Sequence, residues 1–468
     1  MQTKPKAGLL PLYLKLYDDH LPSMRETLEA FLKELGDKIA AQGVEIVTAP
    51  ICRQRPEVKQ AMADLVREAP DILMTVHLAY SPSLESVEPL ASSSLPLLVL
   101  DTTPDASFGR DVNPDRILYN HGIHGVQDLA SMLRRHGKPF DIVAGHYKDA
   151  RFLRRVDAII RAAHAARSMR SMTVLRIGPS FEGMGDFAVE SSLLRRQFGV
   201  RVTQAEPQDL AGSVSEVTAE AIEAEVTQDL DRYDGTIDPE AHARSVRVGL
   251  GLRRYIERAG FGALSANFLA FDSDREPVDT FPFLELSKAM ARGVGYAGEG
   301  DVLTAALVGA MLSAFPETTF TEMFCPDWEG DAVFLSHMGE INPAVVAGRP
   351  YMRGREWPFS DAKDPVQISG VIRPGPATLV NLAPGPDGSF SLIVAPVEIL
   401  EDGTHKDMIN AVRAWFKPQC SVTEFLETYS RYGGTHHCAL VLGDVTEAMA
   451  SFARGIDVEL RVIGGSGD

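Results

Sequence analysis

Two carboxylates, Glu322 and Glu340, lie in apolar stretches of residues 318–343, whose sequence is TTFTEMFCPDWEGDAVFLSHMGEINP. An unpaired charge is costly to bury, so such carboxylates are usually paired, protonated or bound to a metal. An imidazole follows about a hundred residues later, from His436 or His437 in the sequence GGTHHC. Two carboxylates and one imidazole suit Mn²⁺ or another divalent cation, which the sequence therefore predicts as a cofactor.

The same residues have a simpler interpretation, which spacing alone leaves open. Glu322 is then a satisfied core carboxylate, Glu340 a turn residue and the two histidines a surface pair. Adjacent strand residues point to opposite faces, so only one histidine can face a given site. A hairpin turning near Asp327 would also place Glu340 about seven residues past the partner of Glu322, or more than about 20 Å away at roughly 3.3 Å per residue. A shared metal therefore predicts that this segment crosses between domains.

The composition is that of a globular protein with an acidic surface. The 468 residues include 45% hydrophobic and 24% charged residues, and the formal net charge is −18. A surface of this charge repels nucleic acid and anionic membranes, so neither is expected as a partner. The cysteines lack CxxC spacing, which argues against disulfides and structural zinc and indicates the cytoplasm. They are Cys52, Cys325, Cys420 and Cys438.

Strands and helices alternate over the first two thirds of the chain, which predicts α/β domains with mostly parallel sheets. Predicted strands of the first sheet cover 8–16, 44–49, 72–76, 95–100 and 140–144. A second α/β pattern begins with a strand at 172–177. After Phe324, short alternating runs separated by proline and glycine predict a small β-barrel or sandwich. The predicted domains are residues 1–170, 171–325 and 326–468.

Three further motifs could line a ligand site. Tyr80 follows the strand 72–76 and lies at the carboxyl edge of a sheet, where ligands bind, although a plain loop is an equal alternative. Met184 belongs to a glycine-rich loop, GPSFEGMG, at the same kind of edge. His124 lies in the sequence NHGIHG, where metal binding, substrate binding and simple exposure are all open.

A literal GxGxxG is formed by Gly293, Gly295 and Gly298. A dinucleotide site needs a strand before such a motif and a helix after it. The residues before it are predicted to be helical, so a helix end followed by a turn is the preferred interpretation. Because of this motif, an NAD-dependent oxidoreductase remains one alternative function for the chain.

Four motifs in order resemble those of the L-arabinose isomerase and L-fucose isomerase superfamily. They are GEGDVLTAAL from Gly298, TEM from Thr321, SHMGE ending at Glu340, and GGTHH ending at His437. The resemblance implies two Rossmann-like α/β domains, then a domain containing a β-barrel. It also implies a cytoplasmic, Mn²⁺-dependent aldose–ketose isomerase that forms a hexamer or trimer.

The resemblance also implies roles for particular residues. The metal ligands would be Glu322, Glu340 and His437, and Tyr80 and His124 match pocket positions, with part of the pocket supplied by a neighbouring subunit. Arabinose isomerases carry a further histidine ligand after the second glutamate, whereas residues 351–358, YMRGREWP, contain none. The three remaining ligands are closer to the fucose isomerase arrangement, so the sugar stays open.

The expected reaction moves a proton between C1 and C2 of a small sugar through an enediolate. A divalent ion that holds both sugar oxygens stabilises the developing charge. Glu322 and Glu340 are therefore predicted to be both ligands and acid–base groups. A non-catalytic sugar-binding protein is the second alternative, because tandem α/β domains also suit ligand clamping.

Overall fold

The computed structural model describes residues 4–403 and 406–464, with the backbone only at 406 and 407. The chain forms two compact units, residues 4–167 and 168–464. Helix α7 (Ala150–Ser171) contains the boundary between them. Among the described residues, no helix has both the length and the apolar character needed to cross a membrane.

The first unit is a five-stranded parallel sheet with helices in the connections. Its strands are β1 (Lys6–Leu12), β2 (Glu45–Thr48), β3 (Ile72–His77), β4 (Leu97–Asp101) and β5 (Asp141–Ala144), in the order β2-β1-β3-β4-β5. Its helices are α1 (Lys15–His20), α2 (Met24–Ala40), α3 (Arg55–Arg67), α4 (Val87–Ser92), α5 (Ile117–Asn120) and α6 (Gly122–Arg135). The mostly apolar strand β3 is buried throughout, as expected for a central parallel strand.

The second unit begins with a four-stranded parallel sheet in the order β7-β6-β8-β9. Its strands are β6 (Thr173–Ile177), β7 (Arg201–Ala205), β8 (Ala263–Ala266) and β9 (Gly295–Gly298). Its helices are α8 (Ser191–Phe198), α9 (Ala211–Ser215), α10 (Ala219–Arg232), α11 (Pro239–Ala259), α12 (Phe283–Ala291) and α13 (Val302–Ala314). Apolar residues cover every side of α13, which is buried along almost its whole length.

The GxGxxG motif serves helix packing. Two of its glycines, Gly295 and Gly298, lie inside β9 and not in a loop between a strand and a helix. A Cβ on Gly295 would lie 2.3 Å from the carbonyl oxygen of Ala305, so glycine permits the close approach of α13. The motif therefore lacks the context of a dinucleotide site.

The rest of the second unit is a nine-stranded sheet whose middle closes into a barrel. Its strands are β10 (Thr318–Asp327), β11 (Ala332–Ser336), β12 (Tyr351–Gly354), β13 (Val366–Val371), β14 (Gly375–Pro384), β15 (Phe390–Ile399), β16 (Val412–Pro418), β17 (His437–Leu442) and β18 (Glu459–Val462). Pairing of β15 with β16 closes the six antiparallel strands β16-β11-β10-β17-β14-β15. Helices α14 (Val422–Arg431) and α15 (Thr446–Ile456) complete the unit. The predicted fold class is confirmed, and the predicted three-domain division stays a prediction.

The segment between the two glutamates is a hairpin after all. β10 pairs with β11, and Glu322 lies opposite Ser336, only four residues before Glu340. The expected separation was wrong because the turn lies beyond Asp327, which pairs with Ala332. A bulge between Met323 and Cys325 then shifts the partner of Glu322 by one residue, away from Glu340.

Candidate metal centre and active site

Glu299 occupies the carboxyl edge of the four-stranded sheet, directly after β9. It has a left-handed φ of 55°, which is unfavourable for a residue with a Cβ and costs on the order of 1 kcal/mol. Gly300 follows with a φ of 82°, and the chain then enters α13. This strained turn aims the Glu299 side chain away from solvent, since only 8% of the residue is exposed.

Three side chains offer ligand atoms that converge in this place. They are Glu299, His337 and His437, and their atoms all lie within 4.8 Å of one another. The Nε2 of His437 is 3.2 Å from Oε2 of Glu299, and the Nε2 of His337 is 3.6 Å from the same oxygen. All three residues are buried, so the cluster is shielded from bulk water.

A second carboxylate orients each imidazole through its other nitrogen. Nδ1 of His437 lies 3.0 Å from Oδ2 of Asp301, whose other oxygen accepts the Thr304 amide at the start of α13. Nδ1 of His337 lies 2.7 Å from Oε2 of Glu340. A carboxylate behind the imidazole is the usual support for a metal-binding histidine.

The charges in this cluster are strongly coupled. Burial opposes the charged imidazole, but Asp301 and Glu299 outweigh it and raise the pKa of His437 to about 9. Burial also acts to lower the pKa of His337, yet Glu340 and Glu299 raise that pKa well above its usual value. Burial would raise the pKa of Glu299, but the two histidines lower it.

The residues present fit a divalent ion. Oε2 of Glu299 is buried and accepts no hydrogen bond, although both Nε2 atoms are close to it. A cation between this oxygen and the two Nε2 atoms would coordinate all three and satisfy the buried oxygen. The set of two imidazole nitrogens and one carboxylate oxygen suits first-row transition metals.

Aromatic rings fix the imidazoles from the sides. Phe187 stacks on His437 with a centroid distance of 5.1 Å, and Phe320 meets the edges of His337 and His437 at 4.6 and 4.9 Å. Gly298 must be small, because a Cβ there would lie 3.0 Å from the His337 ring. The site is therefore rigid and largely preformed.

Two of the three predicted ligands lie in or next to this cluster. His437 is one of the three converging side chains. Glu340 lies next to the cluster and supports His337, because its two oxygens interact with the Tyr296 hydroxyl and with His337. The neighbour His436 instead contacts Asp186, with Nδ1 2.6 Å from Oδ2, so only the second histidine faces the cluster.

Glu322 projects toward the cluster from β10. It lies directly opposite His437 on β17, and residues directly opposite in an antiparallel pair share one face of the sheet. Phe320, two residues earlier, points the same way and contacts both imidazoles. Glu322 is half-buried, and no hydrogen bond or ion pair joins it to any side chain in the described part of the chain.

The predicted substrate-binding residues lie in both units. Met184 is half-buried in the second unit, three residues before Phe187. Tyr80 follows β3 in the first unit and is half-buried. His124 is exposed on α6, with its ring centroid 5.4 Å from that of His121. Their roles stay predictions.

Four residues of the site were not predicted from the sequence as site residues: Glu299, His337, Asp301 and Tyr296. The signal was present, because Glu299 and Asp301 lie in the GEGD of one motif, and His337 lies in the SHMGE of another. Carboxylates in a glycine-containing turn after a buried strand resemble ordinary helix caps. Only the closed barrel brings His337 and His437 to that turn.

Three family models match the chain in order. They are the L-arabinose isomerase N-terminal domain at residues 14–171, the central domain at 187–314 and the C-terminal domain at 317–459. An L-arabinose isomerase from Nocardioides sp. is 25% identical and covers 90% of this chain and 86% of its own length. One from Anoxybacillus flavithermus is 28% identical and covers 82% and 78%. A sugar-bound solute-binding protein from Agrobacterium vitis is 17% identical over 58% of this chain and 79% of its own length, with a TM-score of 0.15.

Proposed function

Because the chain belongs to the L-arabinose isomerase family, we propose that it is a metal-dependent aldose–ketose isomerase acting on a small sugar. The observation that carries the proposal is the buried convergence of imidazoles and carboxylates around His437, at the sheet edge where α/β proteins bind ligands. When bound, a divalent ion supplies Lewis-acid stabilisation of the charge that develops on the sugar oxygens.

Two ligand sets share His437. One adds Glu299 and His337, and two imidazoles with one carboxylate suit Fe²⁺ or Zn²⁺ as well as Mn²⁺. The other, implied by the family resemblance, adds Glu322 and Glu340, and its second carboxylate favours Mn²⁺. We propose the second set and Mn²⁺, supported by the position of Glu322 opposite His437. Loss of Mn²⁺ from Glu299→Gln but not from Glu322→Gln would select the first set instead.

The acid–base roles follow from which carboxylate oxygens already have hydrogen-bond partners. Both oxygens of Glu340 have partners in Tyr296 and His337, whereas Glu322 is half-buried and has no hydrogen-bonded or ion-paired side chain within residues 4–403 and 406–464. We therefore assign to Glu322 the proton that moves between C1 and C2 through the enediolate, and to Glu340 the proton on the sugar oxygen. Tyr80, His124 and Met184 are proposed to contact the sugar.

A panel of aldoses and ketoses tests the proposed function. We expect turnover of at least one sugar, its loss on chelation, and greater recovery with Mn²⁺ than with Zn²⁺. Full activity in metal-free protein would exclude the metal. Tight sugar binding with no turnover of any member of the panel would favour the sugar-binding alternative.

We also propose a homo-oligomer, a hexamer or trimer, in which neighbouring subunits share the pocket. Mixing His124→Ala subunits with Glu340→Ala subunits should then restore part of the activity that each variant lacks, because some pockets receive two intact halves. Light scattering measures the assembly in parallel. A fully active monomer would contradict the proposal.

A further inference from the structure

Two arginines, Arg353 and Arg355, lie side by side in residues 351–358, where the expected histidine is missing. Arg353 is on β12 and Arg355 directly follows that strand, with its amide bonded to the Pro365 carbonyl, so the two side chains project to the same side. Met352, the residue before Arg353, points the opposite way, into the hydrophobic core that includes the barrel. The arginine side of β12 therefore faces away from that core.

Their surroundings lead directly to the candidate active site. Nη1 of Arg355 donates to the carbonyl oxygen of Met338, which lies between His337 and Glu340 in the sequence, and is 3.2 Å from Oε1 of Gln367. Gln367, opposite Arg353 on β13, is buried and would lie 2.5 Å from a Cβ on Gly339. This face of the β12–β13 pair thus packs on the loop that carries Glu340.

Neither guanidinium has a counter-charge among residues 4–403 and 406–464. No carboxylate oxygen lies within 4.0 Å of either one, and the Nε of Arg353 is buried without a hydrogen-bond partner. By contrast, the similarly shielded Arg253 is paired with both Glu225 and Glu285.

The pKa values of the two arginines are lowered by this arrangement. Burial lowers the pKa of Arg353. Burial and then the neighbouring Arg353 lower the pKa of Arg355, against the opposite effect of Glu340. In a chain with a net charge of −18, carboxylates are abundant, yet in the described part of the chain none forms an ion pair with either arginine. Two partly desolvated like charges are expensive to hold together unless an anion joins them.

We propose that Arg353 and Arg355 bind an anionic group at the non-reacting end of the substrate, so that the sugar is an aldose phosphate or a uronate. Guanidinium groups match the oxygens of phosphate and carboxylate and bind them by charge-assisted hydrogen bonds. The inference rests on the proposed function and names its substrate class. The two arginines would also attract an anion locally, although the overall negative charge of the chain repels anions.

The test compares anionic and neutral sugars on the full-length chain and on Arg353→Met. This substitution keeps the aliphatic stem and breaks no internal hydrogen bond, so the melting temperature should change by no more than about 2 °C. We expect higher kcat/KM for aldopentose 5-phosphates or uronates than for neutral aldoses. Arg353→Met should lower kcat/KM for the anionic sugar about 10- to 100-fold and leave that for neutral sugars within about threefold.

Two controls sharpen the result. Arg431→Met removes the same charge from an exposed surface pair with Glu427 and should change neither value. Arg353→Lys should retain part of the preference, because the charge remains but the planar fork is lost. Whether phosphates or uronates show the Arg353 dependence identifies the group.

Calorimetric binding of ribose 5-phosphate, glucuronate and the neutral sugars ribose and glucose separates this inference from the proposed function. Tighter binding of an anionic sugar that Arg353→Met abolishes would support the arginine site even if no sugar turns over. Preferred turnover of a neutral sugar, with equal effects of Arg353→Met on neutral and anionic sugars, would overturn the inference and leave the isomerase proposal standing. Equal binding of anionic and neutral sugars would likewise overturn it.

Discussion

The variant His437→Asn should lose its bound metal and about a thousandfold or more in kcat/KM. His437 is common to both ligand sets, and asparagine cannot place a nitrogen donor where its Nε2 lies. Loss of a Lewis acid removes several kcal/mol of transition-state stabilisation, and each 1.36 kcal/mol is tenfold in rate. Metal content by elemental analysis and steady-state kinetics measure the two losses together.

The adjacent histidine supplies the matched control. His436→Asn changes the same chemical group one residue earlier, but His436 contacts Asp186 on the half-exposed side of the strand. It should retain metal and keep kcat/KM within about threefold of the parent, since surface substitutions seldom have large effects. A His437→Asn protein that keeps stoichiometric metal and full turnover would refute the proposed centre.

The second large effect is expected for Glu322→Gln, which should lower kcat by about 10²- to 10⁴-fold. Glutamine keeps the shape of the side chain but cannot accept the proton from carbon. In D₂O, the parent protein should convert the ketose to an aldose that carries deuterium at C2, because the proton on the carboxylate exchanges with solvent. The residual turnover of Glu322→Gln should show no such carboxylate-dependent exchange.

Metal content tells the two roles of Glu322 apart. Loss of Mn²⁺ from Glu322→Gln makes this residue a ligand, whereas retained Mn²⁺ with slow turnover makes it only the base. Glu329→Gln, in the exposed hairpin turn after β10, is the matched control and should behave like the parent. Early product that stays fully protonated at C2 in the parent protein would indicate hydride transfer and reject Glu322 as the base.

Local patterning predicted the elements well because local forces decide them. The alternation of strands and helices was sufficient to predict a parallel sheet. The barrel was also predicted from its short alternating strands, but not its closure, which depends on β15 pairing with the distant β16. β15 runs through Pro396 without interruption, because that proline lies within the pairing of β14 and β15.

The site was harder to predict because its parts are distant in sequence. His437 could be chosen over His436 on the family resemblance, since strand alternation requires only that one of them face the site. Its partner Glu299 lies in one of the family motifs, but its contact with His437 could not be predicted. That contact depends on a left-handed turn and on the close packing of α13 against β9. The register of the hairpin was misjudged because the chain turns after Asp327 and not at it, which brings the partner of Glu322 closer to Glu340.

The proposed ligands come from β10, from the loop after β11 and from the start of β17, so an ion bound by Glu322, Glu340 and His437 would be a cross-link between distant parts of the chain. Such an ion binds only the folded arrangement, and free metal at a hundred times its dissociation constant adds about 2.7 kcal/mol to the free energy of unfolding. The apparent stability of the second unit then depends on the concentration of metal around it. Scarcity of metal would stop catalysis and, at the same time, expose the chain to unfolding and proteolysis, which couples the amount of protein to the supply of its cofactor.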